Sequence, residues 1–303
     1  MTQKATFRTI GMLYGVLGVI LFSTKAVLVK LAYRYEVDTL DLLLFRMLFS
    51  LPFYIFILVI THKKATKRVN RKNSLWIFLF GFLGYYLASY FDFLGLNFIK
   101  AGLERIILFV YPTIVVLFGY LFFKQSLSKT QALAIGITYL GIIITFWSEI
   151  DLSGTNTLWG GFLVLLSAIT YASYIVGSGW LIPKYGVLRF TCYAMIVSTL
   201  CIVVHYGFLG NWQLWNFPLI VYVYGLLMAL FATLIPSFMV SASINRLGAS
   251  SFAILGSLGP VSTTLLAYIF LDERLTIIQI GGMLVVITGV TYLSFKEKSK
   301  RSK

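Results

Sequence analysis

Five ionisable side chains lie inside long apolar stretches of the sequence, where a charge is costly to keep. They are Lys25, Arg46, Asp92, Glu104 and Arg105. A charge at the centre of a bilayer costs roughly 2.5–3.5 kcal/mol on insertion scales, so such residues persist when they pair with one another or face water. Three cations and two carboxylates suit a site for a solute with a carboxylate, because arginine binds that group through two hydrogen bonds and lysine binds it as a point charge.

The same charges also allow a purely structural interpretation. Asp92 with Arg105, and Glu104 with Arg46, would form internal ion pairs that lock helices together. Glu104 and Arg105 also lie close to a predicted helix end, from which long side chains reach water at little cost. Both interpretations stay open at this point. Two further charges lie at predicted helix ends and are assigned to the membrane interface: Lys30 and Asp41.

Tyrosines and prolines form the second group of candidate residues. Five tyrosines lie deep in apolar segments: Tyr86, Tyr90, Tyr111, Tyr171 and Tyr174. A tyrosine in hydrocarbon needs a partner for its hydroxyl, so these side chains are expected to point inward, either lining a cavity or packing with one internal hydrogen bond each. Four prolines interrupt predicted helices and are either pivots or static kinks, since each removes one backbone hydrogen bond: Pro52, Pro112, Pro236 and Pro260.

The elements that carry these residues are membrane helices. The chain is 59% hydrophobic and only 12% charged, whereas a soluble domain carries about 25% charged residues. The apolar segments do not alternate as barrel strands do, so the fold class is all-α integral membrane. Hydropathy predicts about ten transmembrane helices, near 10–32, 41–61, 75–97, 100–123, 130–148, 158–180, 189–208, 219–241, 249–271 and 276–295.

The predicted helices form the same unit twice. Residues 81–141 shifted by 148 positions fall on 229–289, with eleven identities that include Ser89/Ser237, Asn97/Asn245 and Pro112/Pro260. Each half holds five predicted helices, and an odd number makes the second half enter the membrane from the opposite side. The sequence therefore predicts two inverted five-helix repeats, an architecture typical of transporters that alternate around a shared midplane site.

The charges are not repeated. Under the same shift Asp92 aligns with Val240, Glu104 with Phe252 and Arg105 with Ala253, and looser alignments place Lys25 opposite Ile175 and Arg46 opposite Ala194. A scaffold alone would not require that asymmetry, which favours a site in the first half.

Basic residues indicate the orientation. The loop after the second predicted helix and the C-terminal tail are rich in lysine and arginine, whereas the acidic loop residues fall on the other side. Cytoplasmic loops carry the excess of basic residues, so both termini are expected in the cytoplasm. The net charge of +15 is attributed to this topology and to attraction for anionic lipid headgroups, rather than to nucleic-acid binding.

Several kinds of site have no signal in the sequence. The two histidines, His62 and His205, have no metal-ligand spacing, and the two cysteines form no disulfide framework. Nucleotide-binding and metalloprotease motifs are missing, as is a His/Ser or His/Asp constellation at membrane depth. We therefore expect no metal, no cofactor and no enzymatic activity.

Four short segments carry a family resemblance. They are Leu21-Phe-Ser-Thr-Lys-Ala26, Phe45-Arg46, Ala101-Gly-Leu-Glu-Arg105 with Tyr111-Pro112, and Ala249-Ser-Ser with Gly259-Pro260. With them the chain resembles the EamA family of the drug/metabolite transporter superfamily over nearly its whole length. Phe270-Leu-Asp-Glu-Arg-Leu275 is similar to the hinge between that family's last two helices, whereas Phe123-Lys-Gln-Ser-Leu127 departs from the usual acidic version.

The resemblance implies a multi-pass carrier in the inner cell membrane that exports a small metabolite. Its units would be residues 9–148 and 156–295, followed by a basic cytoplasmic tail at 296–303. The solute is expected to be an amino acid or another carboxylate-bearing compound, and a homodimer is an open possibility. The candidate substrate-binding residues are Lys25, Arg46, Tyr86, Asp92, Glu104, Arg105 and Tyr111, and the candidate hinges are Pro52, Pro112, Pro236 and Pro260.

Three alternatives stay open. Coupling to protons needs a carboxylate that titrates in a dry site, and Asp92 and Glu104 are the candidates, whereas facilitated diffusion or exchange needs none. A lipid-handling protein such as a scramblase or flippase would need a polar groove open to the bilayer. An intramembrane enzyme would need a nucleophile, metal ligands or a paired acid and base.

Overall fold

A computed structural model describes residues 3–62, 71–124, 128–146, 155–271 and 276–299. Within these ranges the chain is helical and contains no strand. The first half comprises α1 (Gln3–Tyr33), α2 (Thr39–His62), α3 (Arg71–Gly81), the π-helical turn π1 (Phe82–Leu87), α4 (Ala88–Gly95), α5 (Ala101–Leu108), α6 (Tyr111–Phe123) and α7 (Lys129–Phe146). The second half comprises α8 (Thr155–Tyr185), α9 (Val187–Leu209), α10 (Leu219–Ala229), the π-helical turn π2 (Leu230–Leu234), α11 (Ile235–Leu247), α12 (Ala249–Leu255), α13 (Leu258–Phe270) and α14 (Ile277–Ser299).

Seven helical rods in the described residues are long and apolar enough to cross a membrane. They are Thr6–Tyr33, Thr39–Thr61, Asn73–Gly95, Asn156–Tyr185, Val187–Leu209, Leu219–Leu247 and Ala249–Phe270. The other three predicted positions hold shorter apolar helices, Tyr111–Phe123, Lys129–Ile144 and Ile280–Gly289. A helix satisfies its own backbone hydrogen bonds, which is why such apolar segments take this form in lipid. The chain is therefore a multi-pass membrane protein, and ten spans stay a prediction.

Backbone irregularities recur at equivalent places in the two halves. The turns π1 and π2 begin at Phe82 and Leu230, which the 148-residue shift superimposes. Helix α5 ends at Leu108, just before the gap that separates it from α6. The repeat mate of Leu108 is Gly256, which is the first residue of the gap between α12 and α13. The repeat is thus a repeat of local backbone conformation as well as of sequence.

Three of the four candidate hinges lie at these irregularities. Pro112 and Pro236 occupy the first turns of α6 and α11, just after a helix break and a π turn, and Pro260 is the third residue of α13. The predicted span 100–123 has a turn at Phe109–Val110 before Pro112, and the rod Ala249–Phe270 has a turn at Gly256–Ser257 before Pro260. Proline lacks an N–H and fits the first turn of a helix, so the chain breaks before it. Pro52 alone of the four lies inside a continuous helix, α2.

The two halves pack into each other rather than side by side. Helix α1 packs against α11 and α13, α2 packs against α9, and α4 packs against α8. Single glycines with positive φ, Gly186 and Gly248, connect α8 to α9 and α11 to α12, because glycine has no Cβ to clash there. The space between the halves is consequently lined by helices from both.

Some predicted features lie outside the described residues. These are most of the basic loop after α2 (63–70), the interior of both hinge-like connections (125–127 and 272–275), the unit boundaries near 147–154, and the end of the tail (300–303). Helix α14 continues to Ser299, four residues beyond the predicted end of the last span.

Candidate functional site

Four of the five predicted membrane charges form one cluster. The Nζ atom of Lys25 on α1 lies 2.6 Å from Oδ2 of Asp92 on α4. On α5, Nε of Arg105 lies 3.1 Å from Oε2 of Glu104. All four side chains are buried, at most 6% exposed as whole residues. Three helices of the first half therefore bring together charges that are far apart in the sequence.

The pairs differ from those that the structural interpretation predicts. Asp92 pairs with Lys25 rather than with Arg105, and Glu104 pairs with Arg105 rather than with Arg46. Glu104 is fully buried and Arg105 nearly so, so neither reaches the surface as the proposed snorkelling requires. The reason is that α5 packs against α8 and α1, so both side chains are buried inside the bundle.

The two carboxyl groups of the cluster are both fully buried. None of the four oxygens of Asp92 and Glu104 accepts a well-aligned hydrogen bond, although cations lie close. Buried polar atoms are normally hydrogen-bonded, because leaving them without a partner is costly. The carboxyl pair therefore has acceptor capacity for a proton or for a bound donor.

Arg105 has unused donors as well. Its Nη2 atom is buried without a partner among the described residues, and its buried Nε atom contacts Glu104 at 3.1 Å without a well-aligned hydrogen bond. Consecutive residues of a helix do not face each other, so Glu104 cannot align with the guanidinium of its neighbour. Arg105 and Lys25 both line a central cavity, where these donors can meet a bound group.

The cavity lies between the two halves. Its walls come from α1, π1, α4, α5, α6 and α8 and from α11, α12 and the start of α13, and they include Phe22, Ser23, Ser89, Tyr111, Ser167, Tyr171 and Phe252. Its volume is about 60 Å³, room for a few water molecules, since one water needs about 10–15 Å³. A metabolite would need this space to widen.

Tyr111, from the first half, contacts the second half at the cavity. Its hydroxyl donates to the carbonyl of Ala253 at 3.3 Å and lies against Gly256, where a Cβ would overlap it. From α1, the hydroxyl of Ser23 donates to the carbonyl of Gly259 at 3.2 Å. The break between α12 and α13 is thus contacted by both a tyrosine and a serine of the first half.

Four of the seven predicted site residues do not line the cavity. Asp92 and Glu104 contact the lining residues Lys25 and Arg105, whereas Tyr86 and Arg46 lie elsewhere. Tyr86 in π1 faces α9 instead, where its hydroxyl lies 3.0 Å from Nδ1 of His205. Arg46 is fully buried, with its Cζ atom 4.9 Å from the centroid of the Phe93 ring and with Nε and Nη2 making no hydrogen bond. Within the π turn, Gly84 faces the cavity in place of Tyr86.

Sequence reasoning did not select several wall residues. Ser23 and Phe22 fall within the first family-like segment, and Ser89 is identical to its repeat mate Ser237. Each of the three therefore had a weak sequence feature that could have marked it as a site residue. Ser167 and Phe252 carried none, because small polar and aromatic residues are common in membrane helices.

The two ends of the bundle differ. At the end where α2 begins, the Tyr206 hydroxyl donates to Oδ1 of Asp41 at 2.8 Å, and Nδ2 of Asn211 donates to Asp38 and Asp41, at 3.0 Å each. Asp41 lies in the first turn of α2, the helix end at which the sequence analysis placed it, and its side chain is buried against the second half. We call these four residues the latch, because they join the first half to the second.

At the opposite end a wide recess lies between the ends of α6, α8 and α11. Its walls include Lys124, Gln131, Trp180, Gly248 and Ser251, and its volume is about 680 Å³. A recess at the latch end, lined in part by Asp38, Asp41 and Asn211, has a volume of about 360 Å³, so the end without the latch is the more open one.

Known proteins are similar to this chain in sequence and in fold. The sequence profile of the EamA-like transporter family matches residues 9–147 and 158–295. The chain is 30% identical to "Uncharacterized transporter YcbK" of Bacillus subtilis, over 96% of this chain and 95% of that one. It is 26% identical to "Uncharacterized transporter sll1319" of Synechocystis, over 85% and 80% of the two chains. One crystal structure superimposes with a TM-score of 0.76 at 13% identity, over 94% of this chain and 96% of that chain, a likeness that concerns the fold alone.

Proposed function

The chain belongs to the EamA-like transporter family, and on that premise we propose that it exports small carboxylate-bearing metabolites, amino acids among them, by alternating access. The observation that carries the proposal is the pair of cations on the cavity wall. Lys25 and Arg105 line the cavity, and the Nη2 donor of Arg105 is buried without a partner among the described residues. A carboxylate in the cavity would accept these hydrogen bonds, and charge-assisted bonds of this kind are about twice as strong as neutral ones.

Alternating access would use the repeat. In the proposed topology ten spans form two inverted five-helix units in the inner membrane, with both termini in the cytoplasm. The cavity lies between these units, and the matching π turns and helix breaks give each half bendable points next to it. π turns inside α-helices are frequent at functional sites. Pro112, Pro236 and Pro260 mark these points and would act as pivots.

The described conformation fits a carrier that faces the cytoplasm. The latch joins the halves at the end that would be external, and the recess of about 680 Å³ opens at the end that would be cytoplasmic. Export then requires the latch to open and the recess to close, with the solute held at the cluster between.

Protons are the proposed coupling ion and would move in the same direction as the solute, so export would be driven by the solute's own gradient against an inward proton gradient. With Asp92 and Glu104 ionised, the two carboxylates neutralise Lys25 and Arg105. A proton on the carboxyl pair leaves one cation uncompensated, so a solute anion binds more tightly. The full burial of both carboxyl groups and their oxygens without well-aligned hydrogen bonds support this role. The alternative, exchange without protons, predicts that affinity does not change with pH near neutrality.

Counterflow in proteoliposomes tests the function. Vesicles with purified protein are preloaded in turn with amino acids, other organic acids and sugars, and uptake of the labelled solute is measured with and without a pH gradient. Saturable counterflow of a carboxylate-bearing solute is the expected result. Counterflow of sugars alone would contradict the proposed substrate class. Protein that is folded yet moves none of these solutes would contradict metabolite export and favour a lipid-like substrate.

A further inference from the structure

A second cavity lies on the flank of the bundle, away from the charged cluster. It is a groove between α1, α2, α9 and α11, with a volume of about 590 Å³. Its walls are mostly apolar and include Ile57, Leu188, Leu234, Phe238 and Met239. These helices cross the membrane, so the groove faces the lipid, and the side chains suit a hydrocarbon chain.

One cation stands at the end of the groove. The Cζ atom of Arg246 lies 5.1 Å from the ring centroids of both Phe7 and Tyr14, and Nη1 donates to the carbonyl of Ala242 at 3.0 Å. Its Nε atom is buried without a hydrogen bond, and none of the residues that line the groove is acidic. The guanidinium is therefore held in place by aromatic rings, and no described residue that lines the groove supplies a counter-ion.

The groove has the depth of one lipid leaflet. Along α11, the wall runs from Arg246 to Ile235, next to π2. Eleven residues rise about 16 Å at about 1.5 Å per residue, and half of a hydrocarbon core of about 30 Å is about 15 Å. A charge at one end and an apolar channel of this length match the headgroup and the acyl chain of one phospholipid.

We propose that this groove binds an anionic phospholipid, with its phosphate on Arg246 and one acyl chain along α11 as far as π2. Charge complementarity selects the anionic headgroup, since basic pockets between membrane helices bind such lipids. The apolar walls exclude a hydrophilic peptide, and the depth of one leaflet exceeds what a free anion would need. The site is separate from the charged cluster, so it does not depend on which solute the protein carries.

Native mass spectrometry of the purified full-length chain tests the site. The probe is phosphatidylglycerol, with phosphatidylcholine as the neutral comparison, titrated into delipidated protein. We expect one tightly held phosphatidylglycerol, and Arg246→Gln to weaken it at least about tenfold, because one charge-assisted contact is lost. The control is Lys184→Gln: Lys184 also stands on an aromatic ring, 3.8 Å from the centroid of Trp180, but does not line the groove. It should retain the lipid.

A second variant keeps the test decisive if Arg246→Gln fails to fold. Ile235→Trp would fill the apolar end of the groove and leave the arginine in place, so binding of phosphatidylglycerol should fall although the charge is unchanged. Equal retention by wild type and both variants would overturn the proposal. An equal loss in Lys184→Gln would overturn it too, because it would assign the binding to general positive charge.

Discussion

At the scale of single residues, the cluster is a set of charges whose pairing is incomplete. Lys25 and Asp92 are in close contact, but Glu104 and Arg105 are neighbours on one helix and cannot align. Arg105 Nη2, Asp92 Oδ1 and Glu104 Oε1 are buried without a partner among the described residues, and the ion-paired atoms make no well-aligned hydrogen bond. A charged cluster that served only stability would give these atoms hydrogen-bond partners, because a buried polar group without a partner costs free energy.

Replacing Arg105 should impair solute binding more than replacing an exposed arginine. Arg105→Ala removes hydrogen bonds to the solute carboxylate, each worth about 1.5–3 kcal/mol when charged, so we expect affinity in the counterflow assay to fall about 10- to 100-fold. Arg34→Ala is the matched control, because Arg34 is exposed at the end of the bundle. Arg105→Lys should recover part of the binding. Equal affinities for Arg105→Ala and Arg34→Ala in folded protein would rule out the charged site.

Glu104→Gln should remove the pH dependence of binding. In the wild type, lower pH places a proton on the carboxyl pair and frees a cation, so affinity for a solute anion should rise as pH falls. Glutamine keeps position 104 neutral at every pH, so the variant should bind with an affinity that no longer responds to pH. The measurement is solute affinity between about pH 5 and 8, where proteins tend to be most stable, so that a change in affinity does not reflect unfolding. A wild-type affinity that is flat with pH would favour exchange without protons.

At the scale of the elements, helix breaks decide what lines the cavity. The α12–α13 break presents Gly256 to the hydroxyl of Tyr111 and the carbonyl of Gly259 to Ser23. A side chain at Gly256 has no room, whereas a Cβ at Gly259 would lie 3.7 Å from Val19 and 3.8 Å from Ser23. Two glycines three residues apart thus have different steric tolerance.

Gly256→Ala should destabilise the protein and slow transport, and Gly259→Ala should do neither. Overpacking in a well-packed interior costs typically about 1–3 kcal/mol. Thermal unfolding in detergent and counterflow rate measure the two effects. Adding Tyr111→Phe to Gly256→Ala should restore part of the stability, because the overlapping hydroxyl is removed. Indistinguishable unfolding of the two single variants would show that Tyr111 does not approach Gly256 in the membrane.

At the scale of the whole molecule, function depends on two halves that share backbone design but not charge. Helices of one half pack against helices of the other, so neither half encloses the cavity alone. The charges belong to the first half, and the second half supplies apolar and small residues such as Phe252 and Gly256. Movement of one half against the other would change access to a site whose chemistry stays on one side.

The proposed orientation makes opposite predictions for the two ends of the bundle. A single cysteine from Gln213→Cys, near the latch, should react with a membrane-impermeant thiol reagent added outside intact cells. One from Lys184→Cys, at the recess end, should react only after the membrane is opened. Both are made with Cys192 and Cys201 replaced by alanine. The reverse pattern would invert the topology and assign the latch to the cytoplasm.

The sequence by itself determined the membrane class, the doubled unit and the family, because hydropathy, identities at a fixed spacing and short motifs are local properties of the chain. It also selected the residues of the cluster, since a charge in an apolar stretch is conspicuous wherever it points. The family profile confirmed the resemblance.

Only the tertiary structure decided how those residues meet. Which charges form ion pairs, such as Lys25 with Asp92, depends on how helices far apart in the sequence rotate and pack. Hydropathy does not encode that packing. The turn π1 shifts the helical register, so that Tyr86 faces His205 and Gly84 faces the cavity. The turns just before Pro112 and Pro260 also belong to the tertiary structure, because the free energy of a break depends on what fills the space beside it.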